Sequence, residues 1–176
     1  MRKYGKKEAT ESLTPEEARR RTFARAIKLI SAKPRSIAEL RERLSQGRSA
    51  KKADVEEAIA RLKEYGYLND ERFSLSFASS RLQQRPIGRR RLERDLKLKK
   101  VEPAVVAEAL DSVFAELPEN ELIDRAIEKR LRLRGQPTDR AKAKSLFDHL
   151  LRQGFSFELV AEKVREVCRN QIDETE

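Results

Sequence analysis

The side chains able to do covalent chemistry are few and far apart. His149 is the single histidine and Cys168 the single cysteine, so the residue types that cluster around a bound transition metal are missing. His149 falls between Leu146 and Leu150 on a helical pattern, where a structural role near an interface is the ordinary reading. No glycine-rich phosphate loop is present, and the carboxylates are scattered along helical patterns with no adjacent nucleophile or base. An enzyme is therefore the least supported class, and neither cofactor nor metal is expected.

Positive charge is the chemistry that remains. The formal net charge is +10 and the pI is about 9.9, which predicts attraction to a polyanion. From Arg81 to Lys100 nine residues are basic and two acidic, and from Arg125 to Lys144 eight are basic and two acidic. Between the blocks, Glu102 to Asp124 holds seven acidic residues and no basic one. Within the first block Arg90, Arg94 and Lys97 recur at i, i+4 and i+7, one side of a helix at about 100° per residue. The candidate partner-binding residues are Arg81, Arg85, Arg89, Arg90, Arg94 and Lys97 in that block, with Arg132, Arg134, Arg140 and Lys144 in the second. A single charge run is more often a solvated face than a site. Two runs on equivalent elements shift the balance toward a polyanionic partner.

The elements that carry these charges are helices. Only 38% of the residues are hydrophobic while 40% are charged, a composition suited to amphipathic helices and not to sheets. Apolar pairs recur at an offset of fifty: Phe23 and Ile27, Phe73 and Phe77, Ile123 and Ile127. Each is followed by a leucine pair, namely Leu40 and Leu44, Leu92 and Leu96, Leu146 and Leu150. A third stripe follows in each case: Val55, Ile59 and Leu62; Val106, Leu110 and Val113; Val160, Val164 and Val167. Nine stripes in a fixed order predict an all-α protein, an elongated and curved array of three tandem three-helix repeats.

The expected repeats span 15–68, 69–115 and 119–168, with disordered segments at 1–14 and 169–176. Thr14, Pro15 and Glu17 form a capping box, and Ser36 with Glu39 a second. Pro86 with Gly88, Gly135 with Pro137, and Gly154 mark later breaks. EYGYLNDERF, Glu64 to Phe73, stops one helix at Gly66 and restarts at Asn69 or Asp70, which makes it a hinge between compact units. Phe73 and Phe77 are expected in the core, and Phe77→Ala should cost roughly 3–5 kcal/mol if the ring is fully buried. The acidic residues Asp54, Glu56 and Glu57 suggest that third helices carry the opposite charge. No run is long enough to cross a membrane, and MRKYGKKEATES lacks the apolar stretch of a signal peptide. A soluble, cytoplasmic monomer is expected.

YGYLNDERF, SFASSR, GRRRLERDL and LFDHLLRQGFSFELV, in that order, resemble the RecX family of recombinase regulators. The resemblance runs from about Thr22 to Val167 and covers nearly all of the patterned chain. It implies tandem three-helix repeats, in agreement with the periodicity. It also implies binding to the RecA recombinase filament on single-stranded DNA, directly or through RecA, with restraint of strand exchange, ATP hydrolysis and repressor cleavage. Two positions depart from the family: Arg89 stands where proline is common, and Lys100 where glycine is usual. A direct DNA- or RNA-binding helical regulator independent of RecA, and a purely structural helical adaptor, are the alternatives that composition and periodicity leave open.

Overall fold

The computed structural model describes residues 14–47 and 51–173, with side chains to residue 169. The N-terminal segment expected to lack structure lies, Thr14 apart, outside the described residues. Nine helices follow in order among the described residues: α1 Pro15–Ala32, α2 Ile37–Ser45, α3 Lys52–Glu64, α4 Asp70–Gln84, α5 Arg89–Leu98, α6 Pro103–Glu116, α7 Glu119–Arg134, α8 Arg140–Arg152 and α9 Phe157–Asp173. No strand occurs among those residues. α9 continues to Asp173, so residues 169–173, expected in the tail, form the last turn of a helix.

Local signals explain the helix ends. The Thr14 hydroxyl accepts from the Glu17 N–H at 3.3 Å, and the Glu17 carboxylate accepts from the Thr14 N–H at 3.0 Å. That reciprocal cap holds the Glu17 carboxyl below its usual range, mainly through its bond from the Thr14 backbone. Ser36 accepts from the Glu39 N–H at 3.1 Å and starts α2. After α3, Gly66 takes φ of +70°, and the N–H groups of Tyr67 and Leu68 donate to the Leu62 carbonyl at 2.9 and 3.2 Å. Three residues on, Asn69 Oδ1 accepts from the Arg72 N–H at 2.8 Å and opens α4. EYGYLNDERF is thus a helix stop and a helix cap placed back to back.

The chain divides at that point into two compact units, Met1–Leu68 and Asn69–Glu176. In the first, Leu40, Leu44, Val55, Ile59 and Leu62 are buried with Ala26, and Phe23 and Ile27 pack against them half-buried. In the second, one continuous core takes residues from all six helices, including Phe73, Leu92, Leu96, Leu110, Ile123, Leu146, Leu150 and Val160. The second and third repeats therefore share a core instead of stacking as separate bodies.

Their seam is a close backbone approach between the start of α5 and the α8–α9 turn. The Gly88 N–H donates to the Gln153 carbonyl at 3.0 Å, and the Arg90 N–H donates to the Gly154 carbonyl at 3.2 Å. A Cβ on Gly88 would collide with the Gly154 carbonyl and the Phe155 nitrogen, and one on Gly154 with Arg91. Within the third repeat, Lys163 of α9 is ion-paired to Asp124 of α7 at 2.8 Å.

Two expectations change. Phe77 is half-buried, not enclosed: it stacks on Phe73 at 5.8 Å and lies beneath Arg81 and Lys99. Asp54 is buried in the first turn of α3, and Glu56 is ion-paired to Arg41 at 2.7 Å. Neither belongs to an unneutralised acidic surface.

Candidate polyanion-binding surface

α5 is positioned from both sides by the core. Leu92 and Leu96 are fully enclosed, so Arg90, Arg94 and Lys97 emerge exposed from the other side of the helix. Lys97 is ion-paired to Glu93 at 2.6 Å. The guanidinium groups of Arg90 and Arg94 have no hydrogen-bond or ion-pair partner among the described residues. Two arginines thus share one exposed face of a helix anchored through Leu92 and Leu96, without a side-chain partner among the described residues.

The other candidates divide by their partners. Arg81 reaches from α4 to Asp95 of α5 through Nη2 and Nε, at 2.6 and 3.2 Å, and ties the two helices together. Arg89 is ion-paired to Asp111, and its N–H donates to Glu119 Oε1 at 2.7 Å. A proline there, which the resemblance implies is common, would lack that N–H. Lys144 is held by Asp148 at 2.7 Å. Arg85, Arg132, Arg134 and Arg140 are exposed.

Two neighbouring clefts join α7 to α8. One, of ≈ 240 Å³, is lined by Arg85, Lys129, Arg130, Leu133, His149 and Gln153 among others. The second, of ≈ 260 Å³, is lined by Arg130, Arg134, Lys142 and Ser145 among others. Arg130 borders both, and no carboxylate lines either. Burial, then the nearby Arg130 and Arg152, holds the His149 imidazole below its ordinary value of 6.5.

Lys129, Arg130, His149 and Gln153 were not among the residues expected from sequence. Their one linear signal is that Lys129 and Arg130 lie inside the second basic block. His149 and Gln153 join them only because α7 and α8 fold together. Lys100, the second departure from the family pattern, holds a left-handed φ of +56°, the geometry for which glycine is the usual choice.

The architecture defines an all-helical protein of tandem three-helix repeats with unneutralised arginines on the second repeat. Residues 69–110 match the family model described as "RecX, second three-helix domain". The regulatory protein RecX of Streptomyces coelicolor is 31% identical over 155 residues, 87% of this chain and 81% of that protein. The one from Bacillus licheniformis is 29% identical over 154 residues, 88% of this chain and 58% of the longer relative. A crystal structure of RecX from Lactobacillus salivarius superposes with a TM-score of 0.75 at 18% identity, over 86% of this chain and 97% of that one. The chain belongs to the RecX family.

Proposed function

We propose that the protein binds the RecA recombinase filament on single-stranded DNA and inhibits its recombinase, ATPase and co-protease activities, in DNA repair and the SOS response. It acts by binding alone, with no catalysis of its own, in the cytoplasm. The relatives' designation as regulatory proteins supports a role through a partner. Among the described residues, no helix is long and apolar enough to cross a membrane.

The observation that carries the reading is the pair Arg90 and Arg94, exposed on a rigidly held helix face without a neutralising partner. A nucleoprotein filament presents repeated negative charge, and each arginine that meets a phosphate releases bound counterions. Several weak contacts along one chain reinforce one another, because the first raises the effective concentration of the next. Inhibition follows if the bound regulator favours one filament state over another.

Arg90→Glu with Arg94→Glu tests the reading. Fold and melting behaviour should stay nearly unchanged, since surface substitutions usually shift stability by about 0.5 kcal/mol or less. Suppression of RecA ATPase on single-stranded DNA should require roughly tenfold more protein, and the salt slope of binding should fall by about 2. Equal suppression by wild type and variant across a titration would remove this face from the interface. Binding to bare DNA with sequence preference, and no added affinity for RecA-coated DNA, would favour the RecA-independent regulator.

A further inference from the structure

The cleft at the seam of the second and third repeats combines cationic walls, an imidazole and an amide, and of these only Arg85 is among the candidate partner-binding residues. We propose that the cleft walled by Arg85, Lys129, Arg130, His149 and Gln153 is a binding site for a phosphoryl group.

Charge is the first argument. Three full positive charges border a space of ≈ 240 Å³ with no carboxylate among its walls. Arg130 Nη2 meets only a neutral group, the Ser145 hydroxyl at 3.3 Å, while Arg85 and Lys129 have no side-chain partner among the described residues. Like charges gathered without counter-charge repel one another, and an entering dianion relieves that repulsion. A single carboxylate would neutralise less than half of it. Guanidinium forks also match the oxygens of a tetrahedral phosphate.

Donor placement is the second. Gln153 Oε1 accepts from Arg91 Nη1 at 3.0 Å, which leaves the Gln153 amide NH₂ to donate. The wall is fixed in place, because the Gly88 N–H bonds the Gln153 carbonyl at 3.0 Å beside the Pro86 turn. Leu133, 68% exposed, borders the same cleft and offers an apolar shoulder to whatever carries the phosphate.

His149 completes the site as a proton acceptor. The charges around it are Arg85 from the α4–α5 turn, Lys129 and Arg130 from α7, and Arg152 on α8 itself. All are positive; burial first, and then Arg130 and Arg152, disfavour the imidazolium. A seated phosphate dianion offsets two of those positive charges, so the imidazolium is favoured relative to the empty cleft. Binding therefore takes up a proton and strengthens as pH falls through the histidine titration.

The lone histidine makes the test direct, since one imidazole Cε1–H resonance reports on the site. Its pH titration should be followed by NMR with sodium chloride, acetate, inorganic pyrophosphate or a short oligothymidylate at matched ionic strength. Pyrophosphate should move the titration midpoint upward, well beyond chloride or acetate. Lys129→Gln with Arg130→Gln should abolish that movement while itself raising the midpoint of the free protein. Lys129→Gln alone, at an exposed position, should weaken the movement and serves if the double variant does not fold. No upward movement with millimolar pyrophosphate, an equal one with acetate, or one retained in the charge variants would overturn the proposal. A response to both pyrophosphate and oligothymidylate assigns the phosphate to a nucleic-acid backbone. A response to pyrophosphate alone assigns it to a small phosphorylated ligand. Failure to bind a RecA filament would change neither result, so the two readings fail separately.

Discussion

Phe77 shows how a residue on the right stripe can still have the wrong depth. Its partner Phe73 is buried, yet Phe77 sits one turn on at the edge of the buried face of α4, which continues through Ala78 and Leu82, and Arg81 and Lys99 lie over its ring. Part of its environment is thus the charged end of a basic side chain, with Arg81 Cζ and Lys99 Nζ each 5.8 Å from the ring centre, not hydrocarbon from the core. Phe77→Ala should cost about 2 kcal/mol in urea unfolding, below the roughly 3–5 kcal/mol of an enclosed phenylalanine. A loss within that higher range would show that the ring is fully sealed in solution. Lys100 teaches a similar lesson. Its type proclaims surface charge, whereas its φ of +56° marks it as the turn that ends α5.

At the scale of elements, the glycines separate turns from seams. Gly66 follows α3 with a positive φ and open space where a Cβ would point, so only its backbone conformation is demanding. Gly88 has an ordinary φ of −80°, and its demand is contact with Gly154 and Phe155. Gly66→Ala should therefore cost about 1–2 kcal/mol, the strain of a left-handed alanine. Gly88→Ala should cost about 3 kcal/mol, near the upper end for overpacking, because the atoms it meets are backbone. It should also loosen the α5–α8 seam, which amide exchange at Gly88 and Arg90 would reveal. Equal losses for the two variants would mean that the seam relaxes around the added methyl. The same seam presents Gln153 to the cationic cleft, so its integrity matters to the site as well as to the fold.

At the scale of the whole molecule, three repeats make two compact bodies. The core of Asn69–Glu176 draws on α4 through α9, so cutting the chain between Leu68 and Asn69 leaves it whole. A fragment of residues 69–176 should melt as one sigmoidal helical transition by circular dichroism. A fragment beginning at Glu119 should lose that cooperativity, because its buried faces on α7 and α8 lose the α4–α6 residues they pack against. Independent, sharp melting of the shorter fragment would mean that the third repeat folds alone. The expected charge asymmetry also changes at this scale. Part of it is internally paired, through Arg41 with Glu56, Arg81 with Asp95 and Arg89 with Asp111, while Arg90 and Arg94 have no such partner among the described residues.

What the sequence by itself determined was everything governed by short-range periodicity: the nine helices of the described residues, their order in threes, the caps at Thr14 and Ser36, and the exposed side of α5. Those features depend on side chains three or four residues apart, which meet whatever the rest of the chain does. Only the tertiary structure decided which arginines are already neutralised, how deep Phe77 lies, and that the second and third repeats share one core. It alone brought Arg85, Lys129, His149 and Gln153 to one cleft. These depend on pairs up to 68 residues apart, such as Arg85 with Gln153, and helical spacing carries no information about which distant helix will supply the partner.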